Sequence, residues 1–516
     1  MAVKIVLLIV FFGSMVAVGV YSRRHATNVA SFVLGARSVG PWLTAFAYGT
    51  SYFSAVVFVG YAGQFGWKYG LASTWIGLGN AVIGSLMAWV VLGRRTRVMT
   101  NHLSAATMPE FFGRRFDSKA LKVVSSAIIF IFLVPYTASI YNGLSRLFGM
   151  AFDIPYIVCV IAMAVLTGVY VILGGYMATA INDFIQGLIM LGGIVAVIAA
   201  VLSGQGGFLE AVKGLSLIEN DVAATAGQQG VFASFFGPDP MGLLGVVVLT
   251  SLGTWGLPQM VHKFYAIKSE KAINTGTVIS TLFAVVVSGG CYFLGGFARL
   301  FDAPAIYDAQ GKIVYDSIIP HMLSGLPDIL IGIVIVLVLS ASMSTLSSLV
   351  LTSSSTLTLD FLKGNIVKKM EERTQLLVMR VMIVFFIALS VVLAINPPTF
   401  IAQLMGISWG ALAGAFLAPF LYGLYWRGVT RAAVWASFAS GVGITVANLF
   451  FKFIASPINA GAIAMLAGLV VVPVVSVLTP RMPRVHLDKI FACYDEEVVV
   501  SKRLALASDE QDHVRS

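Results

Sequence analysis

Residues 46–54 read FAYGTSYFS, and residues 251–259 read SLGTWGLPQ. Both sit inside long apolar stretches, 41–65 and 240–262, and both carry residues that interrupt a helix. In the first, Gly49 is followed by Thr50 and Ser51; in the second, Gly253, Gly256 and Pro258 fall within six residues. Glycine weakens a helix, and proline removes a backbone donor and clashes with the preceding turn. Backbone groups freed at membrane depth survive only where they face protein or a watery cavity. Ordinary kinks or close-packing points would use the same residues, since glycine is common in membrane helices.

The surrounding chain supplies the count that gives these breaks their meaning. Of 516 residues, 58% are hydrophobic and 11% charged, against roughly 25% charged in a soluble domain. Apolar windows long enough to cross about 30 Å of hydrocarbon recur throughout. They cover 3–21, 41–65, 70–93, 122–150, 154–173, 183–203, 240–262, 273–298, 328–358, 376–395, 400–425, 431–450 and 459–478. The first is followed by YSRRHATNVASF without a small-residue cleavage pattern, which predicts a retained helix. The chain thus reads as an all-α polytopic membrane protein of about thirteen transmembrane helices. The broken segments are the second and the seventh, five apart. Five is odd, so a repeat of five helices inserts upside down relative to its partner. This predicts an inverted 5+5 repeat: 1–21 as a first helix, 41–203 and 240–425 as the repeats, 431–478 as two last helices, and 479–516 as a tail. Broken helices at matching positions of inverted repeats point to a transporter's binding site near the midplane.

Charge sets an expected orientation. With the N-terminus outside, 26 of the 33 lysines and arginines fall in inner loops and the tail, including Arg94 to Lys122 and the group Lys263, Lys268 and Lys271. The outer loops instead carry Glu210, Glu219, Asp221, Asp302, Asp308 and Asp316. Such a positive-inside bias accounts for the net charge of +10 through anionic lipid rather than nucleic acid. The expected location is a plasma (inner) membrane, with the C-terminus cytoplasmic. Cys159, Cys291 and Cys493 match no disulfide or metal spacing. Segment 359–375 has room for one amphipathic surface helix, and neither it nor the tail could house an enzyme.

The ninth window ends in SASMSTLSSLVLTSSS, residues 340–355. Ala341, Ser344, Thr345 and Ser348 share one helical face, with Ser347 beside them and Thr352 and Ser355 continuing inward. Hydroxyls and carbonyls freed by a broken helix suit a small hard cation such as sodium. Each hydroxyl alone could equally bond one turn back or glue two helices together. Asp183 opens the sixth window with no Lys or Arg in the connection before it. At this depth a carboxylate is a functional suspect, although an N-cap would also place it there.

These stretches resemble the sodium/solute symporter family, in particular its sodium/proline and sodium/pantothenate branches. The resemblance spans nearly the whole chain. It includes LGARSVGPWLTAFAYGTSYFSAVVFVGYAG (34–63), GGYMATAIND (174–183), GLPQMVHKFYAIKSEKAINTG (256–276), residues 340–355 and GLYWRGVTRAAVWASFASGV (423–442). It implies a leucine-transporter-like fold. It also implies a sodium site formed by the carbonyls of Thr50, Phe53 and Ala341 and the hydroxyls of Ser344 and Thr345. Asp183, Ser344, Ser347 and Ser348 match the pattern of a second sodium site found in some relatives. Where the proline branch has an aspartate this chain has Tyr52, and Thr254, Trp255 and Leu257 replace proline-branch residues, whereas Gly256 and Pro258 match. The candidate solute cavity is therefore Tyr52, Ser54, Tyr136, Trp255, Gly256 and Pro258, with no buried Arg or Lys evident to receive a substrate carboxylate.

The resulting expectation is a sodium-coupled symporter, not an enzyme, working by alternating access on an amino acid such as proline or a small carboxylate. Na+ is the coupling ion, no cofactor is implied, and the partners are the solute, the ion and the bilayer, without an obligate protein partner. Each sodium moving down about 100 mV supplies about 2.3 kcal/mol, which supports about fiftyfold accumulation; a second would square that. A proton-coupled transporter of the same fold would use Asp183 as its titrating group. A sodium- or solute-sensing receptor would need a signalling domain, for which the tail is too short.

Overall fold

The computed structural model describes residues 2–494, apart from 153, 223, 224, 226, 364, 368, 397 and 398; the tail from 495 lies outside the described residues. Among the described residues there are helices and isolated bridges but no strand. Helix α1 (Ala2–Ser22) is followed by α2 (Pro41–Tyr52). After a break at 53–54, α3 runs through Val56–Tyr61 into Ala62–Tyr69. Helix α4 starts at Thr74–Gly79 and ends with Arg94–His102. Then come α5 (Met108–Arg115), α6 (Lys119–Phe152) and α7 (Tyr156–Gly204). Helices α8 (Pro240–Gly256) and α9 (Pro258–Ala266) meet at 44°. Apart from short helices at Val29–Leu34 and Phe208–Ser216, the remaining α-helices are α10 (Glu270–Gly295), α11 (Tyr315–Ser324), α12 (Asp328–Thr356), α13 (Glu372–Ile395), α14 (Ile401–Tyr425), α15 (Arg431–Phe451), α16 (Pro457–Leu478) and α17 (Arg484–Phe491).

Among the described residues, ten helical runs are long and apolar enough to cross a membrane, and the bent pair α8–α9 makes an eleventh. Two of the ten contain a reversal. Gly49 and Gly66 lie against Phe283 and Gly295 of α10 in rising order, whereas Gly77, Ser85 and Trp89 meet Gly289, Ser280 and Gly276 in falling order. The chain therefore reverses between α3 and α4, at Gly70 (φ 60°, ψ −141°). Helix α7 reverses as well. Tyr170 bonds the Met343 carbonyl of α12, yet Gly193 packs on Leu337, six residues back along the same helix. Six helical residues span about 9 Å, while a straight run from 170 to 193 would need about 35 Å. The fold-back is at Gly175 (φ 54°, ψ −145°). Divided at these two glycines, the described chain has the thirteen segments that the hydropathy windows imply.

At the centre lies α12. Every residue from Leu337 to Thr356 is buried, and the helix packs against α1, α2, α6, α7 and α13. A helix enclosed by protein has no lipid-facing stripe to keep apolar, so its polar residues are set by what its neighbours need. Helix α8 begins on the Asp239 cap and Pro240, α9 on Pro258, the position where a missing N–H costs nothing.

Three local expectations are corrected. Gly49 lies within regular helix and does not break it. A Cβ there would come 2.5 Å from the Phe283 ring, so Gly49 makes room for that ring, and the break follows at Phe53 (φ −103°, ψ 129°). Asp183 is inside α7, eight residues past its reversal, and so is no N-cap. Segment 359–375 forms no separate surface helix among the described residues, because α12 continues as a wider turn to Leu362 and α13 starts at Glu372.

The backbone of Gly175 lies in a region that side-chain-bearing residues avoid, and a Cβ there would sit 2.8 Å from Phe32. Gly175→Ala is expected to destabilise the protein by about 1–3 kcal/mol, measured as a lower melting temperature in detergent. Gly13→Ala in α1, where a Cβ meets nothing within 4 Å, should leave that temperature unchanged.

Candidate functional site

Breaking α2 at Phe53 releases carbonyls that the helix would otherwise use, and α12 supplies their partners. Thr345 Oγ1 donates toward the Phe53 carbonyl at 2.9 Å and the Ala341 carbonyl at 3.1 Å, with the Thr50 and Ser51 carbonyls both at 3.4 Å. Ser344 Oγ lies 3.1 Å from the Thr50 carbonyl and 3.0 Å from that of Ala341. The five groups expected to share one site (Thr50, Phe53, Ala341, Ser344 and Thr345) are thus brought into one knot of oxygen atoms, fully buried. One turn along, Ser342 accepts from the Ala55 N–H at 3.2 Å, where α3 restarts. Such a knot is a set of neutral oxygens able to replace the hydration shell of a small cation.

The second expected set is arranged differently. Ser347 bonds back to the Ser344 carbonyl at 2.9 Å, as the plainer reading of a helical serine has it. Ser348 Oγ lies 2.8 Å from Ser51 Oγ and accepts from Lys263 Nζ at 3.0 Å. Asp183 is not without a partner, since the same Lys263 Nζ is 3.6 Å from its Oδ2. The Lys263 side chain is 3% exposed and that of Asp183 is fully buried. Lys263, counted by its sequence position among the loop cations, is therefore an interior residue of α9. The expectation that no lysine or arginine is buried near the site is overturned. Its signal was present in the sequence: Pro258 restarts a helix after the break, and Lys263 falls in the second turn of that helix, still at depth.

Of the expected solute-cavity residues, Tyr52 and Tyr136 come together through a residue not singled out, Trp409 of α14. The Tyr52 ring stacks on Trp409 at 5.9 Å, and Tyr136 meets the same indole edge-on at 5.9 Å. Gly253 on α8 makes room for that indole, since a Cβ there would be 2.7 Å from it. The Tyr52 hydroxyl donates to the Thr250 carbonyl at 2.7 Å. Ser54 lies at the α2 break and accepts from the Val56 N–H at 3.2 Å. Trp255 is turned to α4, where its indole N–H donates to the Ile83 carbonyl at 2.9 Å. Gly256 serves helix packing, for a Cβ would lie 2.8 Å from the α14 backbone at Ala413. Asn80, also missed, accepts from Thr250 and Ser251 and donates to Ser288, tying α4 to α8 and α10.

Comparison with known proteins bears on the same elements. A family model described as the sodium:solute symporter family matches residues 32–440. A sodium/proline symporter of Staphylococcus aureus (strain JH9) is 30% identical over 462 residues, covering 86% of this chain and 85% of that protein. The protein of the same description from strain COL gives the same figures. Among solved structures, a substrate-bound, outward-open Na+-coupled sialic acid symporter superimposes with a TM-score of 0.74 at 16% identity. That match covers 93% of this chain and 98% of the other, and it shows that the fold is shared.

Removing a hydroxyl from the knot strands carbonyls where water is scarce. Thr345→Val is expected to destabilise the protein by about 1–3 kcal/mol, and Thr345→Ser by less, read as melting temperatures in sodium-free detergent.

Proposed function

Since the chain belongs to the sodium:solute symporter family, and is thereby a transporter rather than an enzyme, we propose that it binds sodium at the α2–α12 knot and uses it to drive uptake of a small organic solute that carries a carboxylate. The observation that carries this reading is the convergence of the Thr50, Phe53 and Ala341 carbonyls with the Ser344 and Thr345 hydroxyls. Two of these oxygens belong to a helix that ends there, and two to hydroxyls that can rotate to present a lone pair to a cation. Sodium bound at the knot would tie the broken helix to α12 and hold the side chains that follow the break.

The solute's place is the aromatic group Tyr52, Tyr136 and Trp409, with Ser54 at the break. Its carboxylate faces the bound sodium, and the rings cover its apolar part. Proline is the first candidate, supported by the 30% identical sodium/proline symporters; small carboxylates are the next.

Movement follows from the helix plan. The segments 41–203 and 240–425 act as inverted repeats, and rocking of one against the other exposes the site to each side in turn. The N-terminus faces outside and the tail the cytoplasm, in keeping with the basic residues clustered in alternate connections. Ion and solute are coupled because each stabilises the state in which the other binds well.

Proteoliposomes with an inward sodium gradient are expected to accumulate radiolabelled proline or a small carboxylate. Ser344→Ala should raise the half-saturating sodium concentration tenfold or more. Accumulation driven by a proton gradient and indifferent to sodium would rule out the ion assignment.

A further inference from the structure

On the reading that sodium binds at the α2–α12 knot, we propose that Lys263 is a tethered cation that fills the neighbouring Asp183–Ser348 position, so that the protein binds one sodium rather than two. Two of the groups that would face a second ion, Ser348 and Asp183, already face a cation of the chain itself. Lys263 Nζ donates to Ser348 Oγ at 3.0 Å and pairs with Asp183 Oδ2 at 3.6 Å. It also lies 5.4 Å from the centre of the Tyr176 ring, whose face favours a cation. Ser347, another hydroxyl of that set, is turned onto its own helix at the Ser344 carbonyl. A buried carboxylate needs a positive partner, and here the chain provides it on a neighbouring helix.

The arrangement also places the lysine in mechanical contact with the knot. Ser348, which Lys263 holds, is 2.8 Å from Ser51 Oγ, and the Ser51 carbonyl is one of those facing Thr345. Lys263 stands on α9, the half of the broken pair that follows Leu257. It therefore joins α9 to α7 through Asp183 and to α12 and α2 through Ser348. A free sodium ion would make the α7–α12 link and leave when the gradient required it. A lysine makes the link with an atom of the chain itself and contributes nothing to the gradient's pull, so the solute gradient should scale with the first power of the sodium gradient.

The test is equilibrium binding of radioactive sodium, as the chloride, to the purified full-length protein. The wild type is expected to bind one ion per chain with a Hill coefficient near 1. Lys263→Met should bind two, with a Hill coefficient rising toward 2, and Lys263→Met combined with Asp183→Asn should return to one. Two ions on the wild type, or one on a Lys263→Met protein of unchanged melting temperature, would overturn the proposal and leave the symporter reading intact. No sodium on the wild type would instead overturn the symporter reading. Should Lys263→Met fail to fold, Asp183→Asn decides: a count unchanged at one supports the tethered cation, and a count falling to zero overturns it.

Discussion

Everything at the centre of this molecule follows from one requirement: carbonyls released at membrane depth must find donors, because water is not there to supply them. Helix α2 ends at Tyr52 in the middle of the protein, and the carbonyls of Thr50, Ser51 and Phe53 are left pointing toward α12. Helix α12 answers with Ser344 and Thr345. That pairing demands that α12 be enclosed on all sides, and it is, from Leu337 to Thr356. Enclosure in turn draws α1, α6, α7 and α13 around it. Four of the ten serines and threonines in residues 340–355, namely Ser342, Ser344, Thr345 and Ser348, meet the broken segment, whereas Ser340, Ser347, Ser354 and Ser355 bond carbonyls of their own helix.

Much of this was legible in the sequence because its signals are local or periodic. Apolar windows report which residues lie at hydrocarbon depth, and thirteen such windows with an odd spacing between two breaks carry the topology. Hydroxyls at i, i+3 and i+4 report one face, and the face proved to be the one turned to α2. The failures have physical reasons as well. Gly49 was read as a breaker, yet glycine serves space as often as flexibility, and here it admits the ring of Phe283. Asp183 was read as beginning a helix because the sixth apolar window starts there, but the reversal occurs at Gly175 and the helix resumes at once.

Lys263 is the most instructive miss. A count of basic residues along the chain treats every lysine near a window's end as interfacial. A four-carbon stem can instead run inward as readily as it snorkels to the surface. Only the three-dimensional meeting of α9 with α7 shows that the ammonium is needed inside, opposite a carboxylate that has no other ion-pair partner among the described residues. Trp409 escaped for a related reason: an aromatic in an otherwise unremarkable apolar helix gains its meaning from Tyr52 and Tyr136, which are far away in sequence.

The hydrogen bonds of Ser344 and Thr345 carry a further consequence for a carrier that must cycle. Each hydroxyl has a single proton, and in this arrangement that proton serves a carbonyl. A cation entering the knot would take over the carbonyls and release the hydroxyl protons to turn elsewhere, so loading is an exchange of one set of partners for another. The binding strength of such an ion would then be the difference between two partnered arrangements. On the proposed sodium reading, the knot would keep its oxygens partnered after the ion has left, which is what an empty return step requires.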